Sequence, residues 1–200
     1  NYAFEKTVIN VTTGEDPATT ASPGDVLRYR LRLENQRAEA LDNIVITDEL
    51  DRLNAPAAFE AGSLAIVSVP AGADTTNTNV FGGAAGTGLL DVRGLDLPNL
   101  GDSLEIEFEA TLAAVIANGS TVANQAQAET NGVPFADSDD PILNGGADPF
   151  VPGDEDPTSV TIQSAPDFLI EKLSSYETGD PNILLAGETL RYTITVKNIG

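Results

Sequence analysis

The chain has 200 residues, of which 31 are acidic and ten are basic, so its formal net charge at pH 7 is −21. This charge repels nucleic acids and anionic membrane surfaces, so neither is expected as a partner. The absence of Cys and His excludes disulfides, zinc–thiolate sites and catalysis that requires an imidazole. No stretch approaches the ~20 apolar residues of a membrane-spanning helix.

Alternation of apolar and polar residues with a period of two predicts β-strands along most of the chain. We expect strands near residues 2–12, 26–33, 42–48, 63–69, 87–93, 104–112, 120–129 and 157–164. Gly, Pro, Asn and Asp separate these segments, and no segment combines a helical period with capping residues. The pattern predicts an all-β protein, an antiparallel immunoglobulin-like β-sandwich.

Two of the predicted strands carry opposite charges on their outer faces. One strand has three alternating arginines and another has three alternating glutamates: Arg28, Arg30, Arg32, Glu105, Glu107 and Glu109. Opposite charges on neighbouring strands contribute roughly 0.2–1 kcal/mol per pair. We therefore expect the two strands to lie side by side, with the charges helping to fix their register.

The start of the sequence is echoed near its end. "YAFEKT" at 2–7 is similar to "DFLIEKL" at 167–173, and "GDVLRYRLRLEN" at 24–35 is similar to "GETLRYTITVKN" at 187–198. Two matched strands in the same order indicate an internal repeat of about 165 residues. We expect residues 1–165 to form one unit, and residues 166–200 to be the first two strands of the next.

Two strands alone cannot bury an apolar face. The segment 166–200 is therefore expected to belong to a larger sheet. Its partners would be further repeats of the same chain or other copies of it, joined covalently or by strand addition.

The order of short motifs provides a family resemblance. A strand with Lys is followed by "GDVLRYRLRLEN", "NIVITDEL", "TVANQA", "SDDP" and "DEDPTSVTI". This order resembles the immunoglobulin-like tandem repeat domain of unknown function found in large bacterial surface and secreted, adhesin-like proteins. The resemblance implies a building block of extracellular stalks, sheaths or filaments.

Three polar residues share strand faces with apolar neighbours and are expected to point toward the core: Lys6, Asp48 and Asn124. Surface adhesin and pilin domains that resemble this one join such a Lys to an Asn by an isopeptide bond, with a nearby acid that carries the proton. The resemblance thus implies a cross-link between Lys6 and Asn124, assisted by Asp48. In the alternative, Lys6 extends to solvent, while Asn124 and Asp48 belong to turns.

Acidic residues are concentrated in a long link, residues 131–156. Its carboxylates are Asp137, Asp139, Asp140, Asp148, Asp154, Glu155 and Asp156. Calcium takes six to eight oxygen ligands, and closely spaced Asp residues are typical donors. We expect calcium to stiffen this junction through Asp137, Asp139, Asp140, Asp154 and Asp156. The alternative is a solvated acidic loop held by prolines.

The sequence therefore favours a structural protein that is secreted or displayed on the cell surface. The alternative is an adhesin module that recognises a glycan or host protein through loops 70–86 and 131–156. That alternative requires exposed aromatic residues, for which Phe81, Phe135 and Phe150 are the candidates. Carboxylate catalysis, as in glycoside hydrolysis, is open to this composition. An enzyme is nevertheless not expected beyond the autocatalytic cross-link, because no aromatic-lined cleft is indicated and the acidic residues follow surface patterns.

Overall fold

The computed structural model describes residues 2–147, 151, 153–165, 168–180, 182–183 and 185–198. The chain forms two compact units, Asn1–Gln163 and Ser164–Gly200. Within the described ranges we find strands and turns, and no helix that could cross a membrane. The strands are β1 (Tyr2–Asn10), β2 (Thr20–Ala21), β3 (Val26–Asn35), β4 (Leu41–Glu49), β5 (Ala65–Ser68), β6 (Leu89–Leu97), β7 (Ser103–Thr111), β8 (Thr121–Asn124), β9 (Ala126–Thr130), β10 (Val133–Asp137), β11 (Thr158–Ile162), β12 (Phe168–Tyr176) and β13 (Leu190–Asn198).

The first unit is an immunoglobulin-like β-sandwich, which confirms the predicted fold class. One four-stranded sheet has the order β1-β3-β7-β5 and the other has the order β10-β9-β4-β6. A smaller sheet has the order β2-β11-β8. The pairs are antiparallel except for β2 and β11, which run parallel.

The core lies between the two four-stranded sheets and contains alternate residues of their strands. Leu31 and Ile106 come from the first sheet, Ile46 and Val92 come from the second, and all four side chains are fully buried. Burial of one such side chain is worth about 1.5–3 kcal/mol relative to exposure. The period-two pattern therefore decides which face of each strand is buried.

The predicted pairing of the arginine and glutamate strands is confirmed, since β3 lies beside β7. Arg28 bonds Glu109 at 2.6 Å and Arg30 bonds Glu107 at 2.8 Å. The third arginine, Arg32, bonds a glutamate of its own strand instead. Two of the three predicted cross-strand ion pairs are therefore formed.

The segment expected as one strand near 120–129 is broken at Gln125. Strand β8 pairs with β11, whereas β9 pairs with β4 and β10. The Gln125 side chain holds this break, because its Nε2 donates to the carbonyl oxygens of Ser138 and Glu155 at 3.0 Å each. The chain thus passes from one sheet to another within two residues.

The acidic link is more ordered than expected. Residues Val133–Asp137 form β10, and a parallel bridge joins Asp139 to Glu5 of β1. The backbone of Asp139 donates to the carbonyl of Phe4 and accepts from the N–H of Lys6. The predicted strands did not include this segment, so the first part of the link has more secondary structure than the sequence predicts.

The second unit is a two-stranded antiparallel sheet of β12 and β13. Within this unit the apolar side chains are largely exposed: Ile170, Leu173, Tyr192, Ile194 and Val196.

Candidate cross-link site

Lys6 lies in the middle of β1, and its side chain is fully buried in the first unit. Strand alternation places it on the same face as Phe4 and Val8, which are also buried. The alternative in which this lysine extends to solvent therefore does not apply. A buried ammonium group requires a counter-charge, because its desolvation costs far more than a hydrogen bond returns.

Asp48 of β4 supplies that counter-charge. Its Oδ2 lies 2.5 Å from Lys6 Nζ, and neither side chain is accessible to solvent. The other carboxylate oxygen, Oδ1, is buried and has no hydrogen-bond partner among the described residues. The pair thus bridges the two four-stranded sheets and leaves one acceptor unused.

Two aromatic rings surround the lysine head group. Lys6 Nζ lies 4.4 Å from the centroid of the Tyr29 ring and 5.5 Å from that of Phe108. The two rings stack on each other with centroids 5.3 Å apart. They keep water away from the amine while offering only the weak electrostatic attraction of their faces.

Burial lowers the pKa of Lys6 to about 8, with the Asp48 charge acting in the opposite direction and Arg52 adding a smaller lowering effect. A lowered pKa increases the fraction of neutral amine, which is the nucleophilic form. Burial raises the pKa of Tyr29 well above its usual range, and the charges of Asp48 and Asp51 raise it further.

Asn124 is the last residue of β8 and is also buried. It lies opposite Thr158 of β11, whose Oγ1 donates to the carbonyl oxygen of Lys6 at 2.9 Å. Two residues further on, Ala126 lies opposite Asp48. Asn124 is therefore placed between the strand positions that carry the lysine and the aspartate.

The carboxamide of Asn124 is unusual because neither its Oδ1 nor its Nδ2 has a hydrogen-bond partner among the described residues. A buried polar group left without a partner costs about 1–3 kcal/mol. Native proteins rarely keep such groups unless they serve a function or a covalent bond involves them.

The three residues grouped by sequence are thus all buried; Lys6 contacts Asp48 directly, and the strand neighbours of Asn124 lie against both of them. The aromatic platform of Tyr29 and Phe108 and the contact from Thr158 were not predicted. The position of Tyr29 could have been found from the sequence, because it lies on the predicted inner face of its strand. The contact of Thr158 could not, since it depends on the path of the chain through the acidic link.

The predicted calcium ligands of the link are not gathered into one site. Asp139 and Asp140 are buried, whereas Asp137, Asp154 and Asp156 are partly exposed. Among the described residues no three acidic side chains converge well enough to hold a metal ion. Calcium therefore remains a prediction for the link, without a formed set of ligands.

Burial raises the pKa of Asp139 and of Asp140, and repulsion from neighbouring aspartates adds to this. One oxygen of Asp139, Oδ2, is buried without a partner among the described residues. The other accepts from the backbone N–H of Asp156 at 3.0 Å. The link thus holds several carboxylates of like charge close together in the first unit.

The aromatic candidates for ligand binding differ from one another. Phe81 is 65% exposed. Phe135 packs edge-on against Tyr2, with ring centroids 4.6 Å apart. Phe150, like Asp148, lies outside the described residues.

Comparison with known proteins gives similarity in structure only. No family model matches the chain, and no curated protein matches it. BcpA, the major pilin subunit of Bacillus cereus, is similar with a TM-score of 0.45 and 13% identity, over 99% of this chain and 55% of that chain. The present chain thus spans about half the length of that pilin.

Two further similar structures are a pilus backbone and a domain of an adhesin. The pilus backbone RrgB of Streptococcus pneumoniae has a TM-score of 0.39 and 15% identity, over 64% of this chain and 31% of that one. The collagen-binding domain of a Staphylococcus aureus adhesin has a TM-score of 0.33 and 13% identity, over 80% of this chain and 95% of that one.

Proposed function

We propose that residues 1–163 are a load-bearing unit of an extracellular bacterial filament, stalk or sheath. An isopeptide bond between Lys6 Nζ and Asn124 Cγ locks the unit. The observation that carries this proposal is the buried Lys6–Asp48 pair, together with the buried carboxamide of Asn124 that finds no hydrogen-bond partner within the described part of the chain.

The reaction needs no external reagent. Asp48 accepts a proton from Lys6 Nζ, and the neutral amine attacks Cγ of Asn124. The protonated Asp48 then passes a proton to the departing nitrogen, so that ammonia leaves as the new amide bond forms. Asp48 then takes the remaining proton of the attacking nitrogen and ends as a neutral carboxyl group, and the product differs from the starting chain by one molecule of ammonia.

The bond also removes one unsatisfied group of the site, because Asn124 Nδ2 leaves. The amine and the Asn124 nitrogen are replaced by one amide, whose N–H can donate to the Asp48 carboxyl group. The buried charges of Lys6 and Asp48 disappear together with their desolvation costs. The aromatic walls of Tyr29 and Phe108 are well suited to a neutral amide.

Mechanical strength follows from the position of the bond in the chain. Lys6 is in the first strand and Asn124 is in the eighth, so the bond closes a loop of more than one hundred residues. Closing a loop of this size stabilises a folded unit by about 5 kcal/mol through the unfolded state. Tension applied at the two ends would pass through the bond and leave that loop unstretched.

Single-molecule extension of the full chain tests this function. The wild type is expected to extend by about 400 Å less than Asn124→Ala, because the residues between the cross-linked positions stay hidden. Lys197→Ala serves as the control, since it removes an exposed lysine of β13 and should extend like the wild type. Equal extension of the wild type and Asn124→Ala would rule out a load-bearing cross-link.

Assembly through residues 164–200 is the second part of the proposal. Further repeats or other copies would cover the exposed apolar face of the β12–β13 hairpin. Electron microscopy of the purified protein with and without a calcium chelator tests this. We expect filaments whose subunit repeat matches one sandwich, and loss of order on chelation would assign calcium to the acidic link.

A second candidate function is favoured by the exposure of Phe81 in the 70–86 loop. An exposed aromatic ring is typical of surfaces that bind glycans or proteins. Glycan-array and host-protein binding by the wild type, lost in Phe81→Ala, would support an adhesin module.

A further inference from the structure

The β12–β13 hairpin repeats the pairing of β1 with β3 residue by residue. Lys172 lies opposite Ile194, just as Lys6 lies opposite Leu31. The register is therefore the same in both strand pairs, in addition to the similar sequence.

The surroundings of the two lysines are also repeated on that face. Lys172 Nζ lies 4.3 Å from the centroid of the Tyr192 ring, and the corresponding distance for Lys6 and Tyr29 is 4.4 Å. The hairpin thus presents a lysine over an aromatic ring in the arrangement that the first unit uses inside its core.

Among the described residues, the other half of the site lies on strands of the first unit. The carboxylate and the carboxamide beside Lys6 come from β4 and β8, and the described part of residues 164–198 has no counterpart of either strand. Ile194 is 62% exposed and Val196 is 60% exposed, whereas the matching Leu31 and Leu33 are fully buried. The face that carries Lys172 therefore has the residue pattern of a core-facing strand pair, although its side chains are exposed among the described residues.

We infer that Lys172 is a second cross-linking nucleophile, which reacts with Asn124 of another copy of this chain. The β12–β13 hairpin takes the place of β1 and β3 in the sandwich of that copy. Asp48 of the same copy carries the proton. This inference rests on the proposed function, because it uses the same reaction at the same acceptor.

The chemistry of the exchange balances as in the internal reaction. The Lys172 amine forms an amide with Cγ of Asn124 and ammonia leaves. The link joins two chains and adds no atom from outside. It requires only that the acceptor copy has an unreacted Asn124.

The choice of a second copy as partner follows from the fit of the face. Ile170 corresponds to Phe4, Ile194 to Leu31 and Val196 to Leu33, so the apolar pattern is retained. Ser174 replaces the buried Val8, so the hairpin buries less apolar surface than β1 and β3 do. The chain's own β1 and β3 therefore keep their place in the sandwich where Lys6 can react with Asn124. Exchange with the hairpin of another copy occurs where Lys6 is absent or unreacted.

Refolding of the full chain at high concentration tests the inference. The key variant is Lys6→Met, which keeps the volume of the side chain and leaves Asp48 and Asn124 in place. We expect covalent oligomers on denaturing gels, with one ammonia lost per link. Tandem mass spectrometry should find a peptide in which Lys172 is joined to Asn124. The double variant Lys6→Met/Lys172→Ala should give monomers only.

The outcomes separate this inference from the proposed function. Loss of ammonia in the wild-type monomer, with no oligomers from folded Lys6→Met, would overturn the inference alone. A Lys172–Asn124 bond confined to monomers would overturn the assignment to a second copy. A wild-type monomer that loses no ammonia would overturn the proposed function itself.

Wild-type refolding covers the case in which Lys6→Met does not fold. Lys172 then competes with Lys6 for Asn124, and a minor Lys172–Asn124 peptide in the oligomer fraction is the expected result. Oligomers that contain only Lys6–Asn124 bonds, or no oligomers, would count against the inference.

Discussion

The two similar strand pairs of the molecule, β1 with β3 and β12 with β13, have the same register but different surroundings. Tyr29 is 1% exposed and its counterpart Tyr192 is 54% exposed. Each tyrosine nevertheless lies under its lysine at almost the same distance. Local sequence thus sets strand pairing and the lysine–ring contact, whereas burial and the acid beside the lysine depend on strands distant in sequence.

The largest expected effect is that of removing the buried lysine. Lys6→Ala leaves Asp48 buried without a counter-charge and abolishes the cross-link, so we expect the first unit to lose about 5 kcal/mol or more of unfolding free energy. Denaturant unfolding followed by circular dichroism measures this. The exposed Lys197→Ala should stay within about 0.5 kcal/mol of the wild type. A loss below about 1 kcal/mol for Lys6→Ala would show that the buried pair contributes little.

The next largest expected difference in unfolding free energy is between two matched apolar positions, Leu31 in the core and Ile194 in the hairpin. Leu31→Ala is expected to cost about 2–5 kcal/mol, because Leu31 is fully buried in the core. Ile194→Ala, at the equivalent position of the hairpin, should change the main unfolding transition by less than about 0.5 kcal/mol. Equal costs at the two positions would mean that the hairpin is packed in a core under the conditions of the measurement.

The lowered pKa of Lys6 predicts that the stability of the first unit depends on pH. In Asn124→Ala, which cannot form the bond, the unfolded chain binds the Lys6 proton between pH 8 and 10.5 while the folded chain does not. Stability should therefore rise with pH in this window, by of the order of 3 kcal/mol. Unfolding curves across the window measure the rise. The same variant with Lys6→Met added should lack it, and a flat profile with Lys6 present would argue against the lowered pKa.

The smallest effect is expected at the surface ion pairs. Arg30 bonds Glu107 on the outer face of the first sheet, whereas its counterpart in the hairpin is the uncharged Thr193. Arg30→Ala should cost less than about 1 kcal/mol, and the cost should shrink in high salt. Unfolding at two ionic strengths checks this, and a cost that does not depend on salt would point to packing rather than charge.

The strand positions and the Arg–Glu pairing could be predicted because alternation and charge are local properties of the sequence. The break at Gln125 could not, since the alternation continues through it and both Asn124 and Ala126 are buried. Strand β10 was missed because Pro134 interrupts its pattern, and the register shifts between Pro134 and Ala136.

The candidate site could be predicted only in part. Alternation placed Lys6, Asp48 and Asn124 on inner faces, which is a property of each strand alone. Their closeness depends on how β1, β4 and β8 pack together. The orphaned carboxamide is likewise a property of the packed core, because it is defined by the partners that Asn124 lacks among the residues the structure describes.

The most direct test of the central claim is the intact mass of the purified wild-type chain. We expect it to be lower than the sequence mass by one molecule of ammonia, with Lys6 and Asn124 recovered in a single joined peptide after proteolysis. Lys6→Met and Asn124→Ala should each show their full sequence mass as monomers. A wild-type chain at its full sequence mass, with separate Lys6 and Asn124 peptides, would contradict the cross-link and leave the buried site without a covalent role.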